Sequence, residues 1–190
     1  MTAMPQLPTP ELPIGPRFAI DRRVCEMANR WSAWRAVAVF FATISRLGDG
    51  VFWYALMAAI ALIGGGRGLL AAAHMALTGL TALGLYRVLK RWTKRPRPFR
   101  SCPGVIARIP PLDEFSFPSG HTLQAVSFTI VALAWYPLLA SLLLPFTALV
   151  AASRVILGLH YPSDVLAAIL IGTTLGTLSL WLSSLTSLAA

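Results

Sequence analysis

Apolar stretches with few charges dominate the chain. One reads VFWYALMAAIALI and ends at Gly64-Gly65-Gly66-Arg67. A second occupies about 68–89. From His121 to Ser153 there is no Lys, Arg, Asp or Glu. That run is too long for one membrane span, and Pro137, after Trp135-Tyr136, stands where a turn would divide it. A last apolar run covers about 162–184. A spanning helix needs about 20 mostly apolar residues. The pattern therefore predicts spans at about 48–65, 68–89, 119–136, 138–158 and 162–184, with a sixth in front in a longer relative.

The first part of the chain reads differently. Residues 17–46 mix Arg22, Arg23, Arg30, Arg35 and Arg46 with Phe18, Ile20, Val24, Met27, Trp31, Trp34, Val37, Phe40, Phe41 and Ile44 at roughly helical spacing. Amphipathic helices lying in the interface fit, with Trp at headgroup level and Arg snorkelling. Residues 1–16 are Pro-rich and lack the basic-then-apolar order of a signal peptide, so a disordered tail is expected there. One domain then covers 17–190.

Composition supports lipid as the main solvent. Of 190 residues, 56% are hydrophobic and 12% charged, against about 25% charged in soluble domains. The fold class that follows is all-α: a polytopic transmembrane bundle of five or six spans with N-terminal interfacial helices. The net charge of +9 suits lipid headgroups or an anionic substrate. Nucleic acid is not the expected partner, because a basic soluble face needs a polar surface around it. Cys25 and Cys102 form neither a CxxC pair nor a zinc spacing.

One hydrophilic loop of any length remains, at about 90–117. Counting spans places it on the same membrane face as the start of the third helix, the end of the fourth and the start of the fifth. Three polar clusters fall there. Lys90 and Arg97 lie in KRWTKRPRP, stiffened by Pro96 and Pro98, and suit a dianionic group. Arg87, Arg91, Lys94, Arg95 and Arg100 read as anchors to headgroups. Pro118-Ser119-Gly120-His121 precedes an apolar run, with Ser119 placed to cap a helix whose first turn offers free N–H groups to an anion. Arg154 ends an apolar helix, where a lone charge is costly. His160 and Asp164 follow, Asp164 in the first turn of the last helix, able to accept Nδ1–H and leave Nε2 facing substrate. Ordinary capping, anchoring and dipole compensation explain each cluster singly. One phosphate pocket explains all three together. His74 sits mid-span and reads as a packing or inter-helix hydrogen-bonding residue.

Lys90-x6-Arg97-Pro98, Pro118-Ser119-Gly120-His121 and Ser153-Arg154-x5-His160-x3-Asp164 resemble the three signature motifs of the type-2 phosphatidic acid phosphatase (PAP2) superfamily, complete and in order. The resemblance implies a metal-independent membrane phosphatase with no cofactor. His160 would be the nucleophile, Asp164 its orienting partner and His121 the general acid. Lys90, Arg97, Ser119, Gly120 and Arg154 would bind the phosphoryl oxygens. A His/Asp metal site is the competing reading of the same residues, and it lacks a third and fourth ligand of suitable type. The substrate expected is a membrane lipid phosphate: undecaprenyl diphosphate, phosphatidylglycerophosphate or phosphatidic acid. A lipid phosphotransferase would use the same site, and a non-enzymatic transporter would release no phosphate. Arginine counting favours a cytoplasmic site under the positive-inside rule. The resemblance to bacterial relatives implies an inner-membrane protein whose site faces the periplasm, which is the expectation adopted.

Overall fold

A backbone in lipid must satisfy its own hydrogen bonds, so apolar runs of this length fold as helices. The computed structural model describes residues 16–188, and every regular element among them is helical. The expected N-terminal tail lies outside the described residues apart from Pro16. The helices are α1 (Pro16–Trp31), α2 (Arg35–Arg46), α3 (Phe52–Ile63), α4 (Gly65–Thr93), the short α5 (Pro98–Ser101), α6 (Gly120–Trp135), α7 (Ala140–Ile156) and α8 (Pro162–Leu188). A single turn at Pro137–Leu139 separates α6 from α7, where Pro137 was expected to divide the run.

Four helical stretches are long and apolar enough to cross a membrane: Arg35–Ile63, Gly65–Ser101, Pro137–Ile156 and Pro162–Leu185. The first of these extends further toward the N-terminus than the span expected at about 48–65. Residues 35–46, expected to lie in the interface, form α2 and run through a kink into α3, so that Arg35–Ile63 is one helical stretch. The two halves join through a wide turn at Leu47–Val51, where Gly50 takes φ 131°. That conformation is open to glycine and strained for other residues. Arg46 closes α2, and its long cationic side chain stays exposed beside the kink. Helix α1 packs against α7 and α8 and leaves Ile20, Met27 and Trp31 exposed.

Helix α6 has 16 residues, about 24 Å by its rise per residue. It is the most enclosed, packing against α4, α7 and α8. Trp53, Met75, Phe128, Val131, Phe146 and Val150 form the core between α3, α4, α6 and α7. Leu62, Leu70, Leu77, Leu138 and Leu170 point outward on the other helices, the surface a lipid-facing bundle presents. His74 behaves as expected. Trp135 Nε1 donates to its Nδ1 at 3.2 Å, so its Nε2 carries the proton toward Ser179 Oγ at 3.2 Å. One imidazole thus links α4, α6 and α8.

Candidate active site

Four helix ends meet on one side of the bundle. Lys90 lies in the last turn of α4, His121 in the first turn of α6, Arg154 in the last turn of α7 and Asp164 in the first turn of α8. Between them is a cavity of about 510 Å³ walled by Lys90, Arg97, Gly120, His121, Arg154 and His160. Seven of the eight site residues expected from sequence either line this cavity or touch a residue that does. The three motifs converge although up to 74 positions separate them.

The α7–α8 turn fixes the first histidine. Gly158 takes φ 75°, which lets the chain fold back so that the Leu159 and His160 N–H groups both reach the Arg154 carbonyl, at 3.1 and 3.0 Å. A side chain at 158 would also collide with the Ile106 carbonyl. His160 is fully enclosed. Its Nδ1 donates to the Ser116 carbonyl at 2.6 Å, and its Nε2 lies 3.2 Å from Arg97 Nη1. Burial drives the ring well below its ordinary value of 6.5, and the Arg154, Arg97 and Lys90 charges push the same way. The ring is therefore neutral, with its Nε2 lone pair turned toward the cations.

Asp164 departs from expectation in one detail. Its Oδ2 is 3.7 Å from His160 Nδ1, too far for the expected hydrogen bond. The Ser116 carbonyl holds that proton instead. Asp164 accepts the Tyr161 N–H at 2.9 Å and pairs with Arg95 Nη1 at 2.6 Å. It therefore faces the imidazole as a charge, while a loop carbonyl fixes the tautomer.

The cations are held firmly. Arg97 Nη1 donates to the Leu159 carbonyl at 2.8 Å, and Nη2 reaches Asp113 Oδ1 at 2.7 Å. Lys90 Nζ sits 2.5 Å from Asp113 Oδ2. Burial alone would raise the Asp113 carboxyl, but hydrogen bonds and charge from Lys90 and Arg97 outweigh it and hold the group below its ordinary 3.8. Arg154 is buried at the end of α7 and donates through Nη1 to Ser45 Oγ. Its Nε has no partner among the described residues.

Ser119, like Asp164, does not line the cavity. It occupies the cap position of α6, yet its hydroxyl bonds Thr122 Oγ1 at 3.0 Å and its N–H points to the Asp164 carbonyl at 3.3 Å. It ties α6 to α8 and leaves Gly120 at the cavity wall. Cys25 and Cys102 are free and buried beside Tyr161, and burial pushes the Cys25 thiol up to about 12. Among the described residues no three His, Cys, Asp or Glu side chains gather as a metal site would require.

The model of the PAP2 superfamily matches residues 67–186. This chain belongs to the PAP2 superfamily. Among its relatives, phosphatidylglycerophosphatase B of Escherichia coli (strain K12) is 39% identical over 74 residues, 36% of this chain and 29% of that protein. Decaprenylphosphoryl-5-phosphoribose phosphatase of Mycobacterium tuberculosis (strain ATCC 25618 / H37Rv) is 35% identical over 96 residues, covering 48% and 49% of the two chains. The matched segment thus spans half or less of these relatives' length. Two solved structures superpose more broadly. Aquifex aeolicus LpxE gives a TM-score of 0.72 at 27% identity, covering 86% of this chain and 96% of its own. The PAP2-type phosphatidylglycerolphosphate phosphatase of Bacillus subtilis gives 0.71 at 25% identity, covering 88% and 86%.

Sequence reasoning missed several residues of this PAP2 site. Arg95 was grouped with headgroup anchors. It is instead largely buried, pairing with Asp164 and with Asp21 Oδ2 at 2.7 Å, and its guanidinium lies over the Tyr161 ring. Asp21 of α1 also accepts the Ser163 N–H at 3.0 Å, capping α8. Asp49 and Ser45 reach the site from the first span. The signal for Asp49 was present as an acid beside a long apolar run. Nothing in the spacing pointed to Ser116, which acts through its backbone.

Proposed function

We propose that this protein is an integral-membrane lipid phosphate phosphatase working through a phosphohistidine. The observation that carries the reading is the cation-walled cavity at the helix ends, with His160 and His121 both facing it. Phosphoryl transfer depends mainly on positioning and charge stabilisation. Lys90, Arg97 and Arg154, with the first-turn N–H groups of α6, supply both. His160 Nε2 attacks phosphorus while the bond to the leaving oxygen breaks, and His121 gives that oxygen its proton. Water then attacks the phosphohistidine and His121 takes a proton back, releasing phosphate and free His160. Asp164 steadies the positive charge that His160 gains. Ser119 acts by holding α6 against α8.

The substrate proposed is a phosphomonoester or diphosphate on a membrane lipid: undecaprenyl diphosphate, phosphatidylglycerophosphate or phosphatidic acid. A cavity at the ends of lipid-facing helices suits a headgroup whose chains stay in the bilayer, and the names of the relatives agree. Helix α6 is proposed as a central fifth span, and the site is proposed to face the periplasm of the inner membrane. Phosphate release from each of these lipids by purified protein in mixed micelles tests the reading; release from none would sink it.

Two further results are expected. Turnover survives excess EDTA, because the chemistry is assigned to side chains; loss on chelation with recovery on adding Mg²⁺ would contradict this. Arg95→Ala lowers kcat by about tenfold to a hundredfold, the scale of a misplaced catalytic group. Arg95→Lys recovers part of the loss by keeping one charge on Asp164. Equal, near-normal kcat in both variants would return Arg95 to an anchoring role.

A further inference from the structure

The turn that bends the first span delivers an acid to the site. Asp49 Oδ1 lies 3.4 Å from His121 Nε2, and Asp49 lines the same cavity. Two glycines aim it there. Gly50 allows the turn through its positive φ. Gly48 lets the helix press against α7, where a side chain would come within 2.8 Å of Val150. The carboxylate therefore emerges between α6 and α7, beside the ring proposed as the proton donor.

The surroundings of His121 explain why an acid is needed. The same cavity holds Lys90 from α4, Arg97 from the loop, Arg154 from α7 and His160 from the α7–α8 turn. Three fixed positive charges oppose a fourth on an imidazolium. Of the other carboxylates in the cavity wall, Asp113 is already engaged by Lys90 and Arg97, and Glu114 pairs with Arg100. Asp49 is the acid that faces the ring.

We infer that Asp49 is a positioning residue for His121, holding the imidazole in place and favouring the protonated form that transfer to the leaving oxygen requires. This rests on the reading of His121 as general acid. Asp49 touches neither phosphorus nor the attacking nitrogen, so its effect depends on how much the leaving group needs a proton. An alkoxide needs one; a nitrophenolate leaves almost unaided.

The test compares wild type, Asp49→Asn, Asp49→Glu and His121→Asn on dodecyl phosphate and on p-nitrophenyl phosphate, through kcat/KM, which reports formation of the phosphoenzyme. For Asp49→Asn, the loss on the alkyl ester is expected to exceed the loss on the aryl ester by at least about tenfold, the low end of a general-acid contribution. His121→Asn shows the same selectivity more strongly, and Asp49→Glu recovers part of the alkyl rate. Gly50→Ala, which disturbs the turn without touching the carboxylate, shifts selectivity in the direction of Asp49→Asn. Equal losses on both esters in Asp49→Asn would mean that the acid serves stability alone, and would overturn the inference. If His121→Asn is selective and Asp49→Asn is not, the Asp49 role alone falls. If neither is selective, the general-acid reading of His121 falls with it.

Discussion

His160→Ala is expected to lower turnover by roughly 10⁴-fold or more while the protein still folds, the scale seen when an enzyme loses its nucleophile. The ring sits between a carbonyl that takes its Nδ1 proton and a guanidinium beside Nε2, and no neighbouring group replaces that nitrogen. A membrane extract of the variant should show normal expression and melting, because the main backbone ties at this turn do not use the ring. Rapid quenching of the wild type with ³²P-labelled lipid should trap an acid-labile, base-stable phosphoprotein that the variant lacks. Near-normal turnover would end the nucleophile assignment. The sign of the pH dependence follows from the same surroundings. The folded imidazole binds its proton only well below 6.5, so it is already neutral at pH 6.5. Any acid limb of kcat/KM that reports this group lies below that pH, and a limb centred above 6.5 belongs to a different residue.

Arg154→Met is expected to lower kcat/KM by about 10²- to 10³-fold, the usual loss when one fixed charge or donor facing a transition state is removed. Stability should move the other way. Arg154 is buried, makes one side-chain hydrogen bond to Ser45 and leaves Nε unpartnered among the described residues. A guanidinium so placed carries a desolvation cost that the Asp49 and Asp113 charges oppose and a bound anion would offset further. Methionine fills much of the same volume without that cost, so the variant should melt at or above the wild-type temperature. Orthovanadate, as a phosphate mimic, should raise the melting temperature of the wild type and leave the variant unmoved. Arg154→Lys should not restore the rate, because an ammonium lacks the planar pair of donors. A variant that melts much lower and still responds to vanadate would assign Arg154 to structure alone.

The apolar runs disclosed most of this fold. Spans ending at Gly64, breaking at Pro137 and starting at Pro162 all lie within a few residues of the observed boundaries. Those signals are local: a glycine, a proline and a run of aliphatic side chains act where they stand. The helical stretch of the first span begins earlier than its expected start, because Arg46 and Asp49 look like a boundary in a one-dimensional count. In the folded chain one reaches outward and the other is drawn into the cavity. The same distinction holds for the site. Lys90, Arg97, His121, Arg154, His160 and Asp164 were legible because their side-chain types are rare in apolar surroundings. Arg95 was not, because five other cations flank it within a short stretch and only the fold shows which one turns inward. Ser116 was invisible for a deeper reason, since a carbonyl is common to all residues and only position makes it an acceptor for His160.

The carboxylate shared by Lys90 and Arg97 has a consequence for the rhythm of the cycle. Those two cations are never bare: when the headgroup is away, Asp113 keeps them company. An arriving phosphate must therefore compete with a tethered rival, which weakens ground-state binding. The rival is equally available at the end, when inorganic phosphate must be dislodged from a strongly positive hollow. On the function proposed above, this loop acid would make the pocket less sticky toward its own product, exchanging tight capture for quick release.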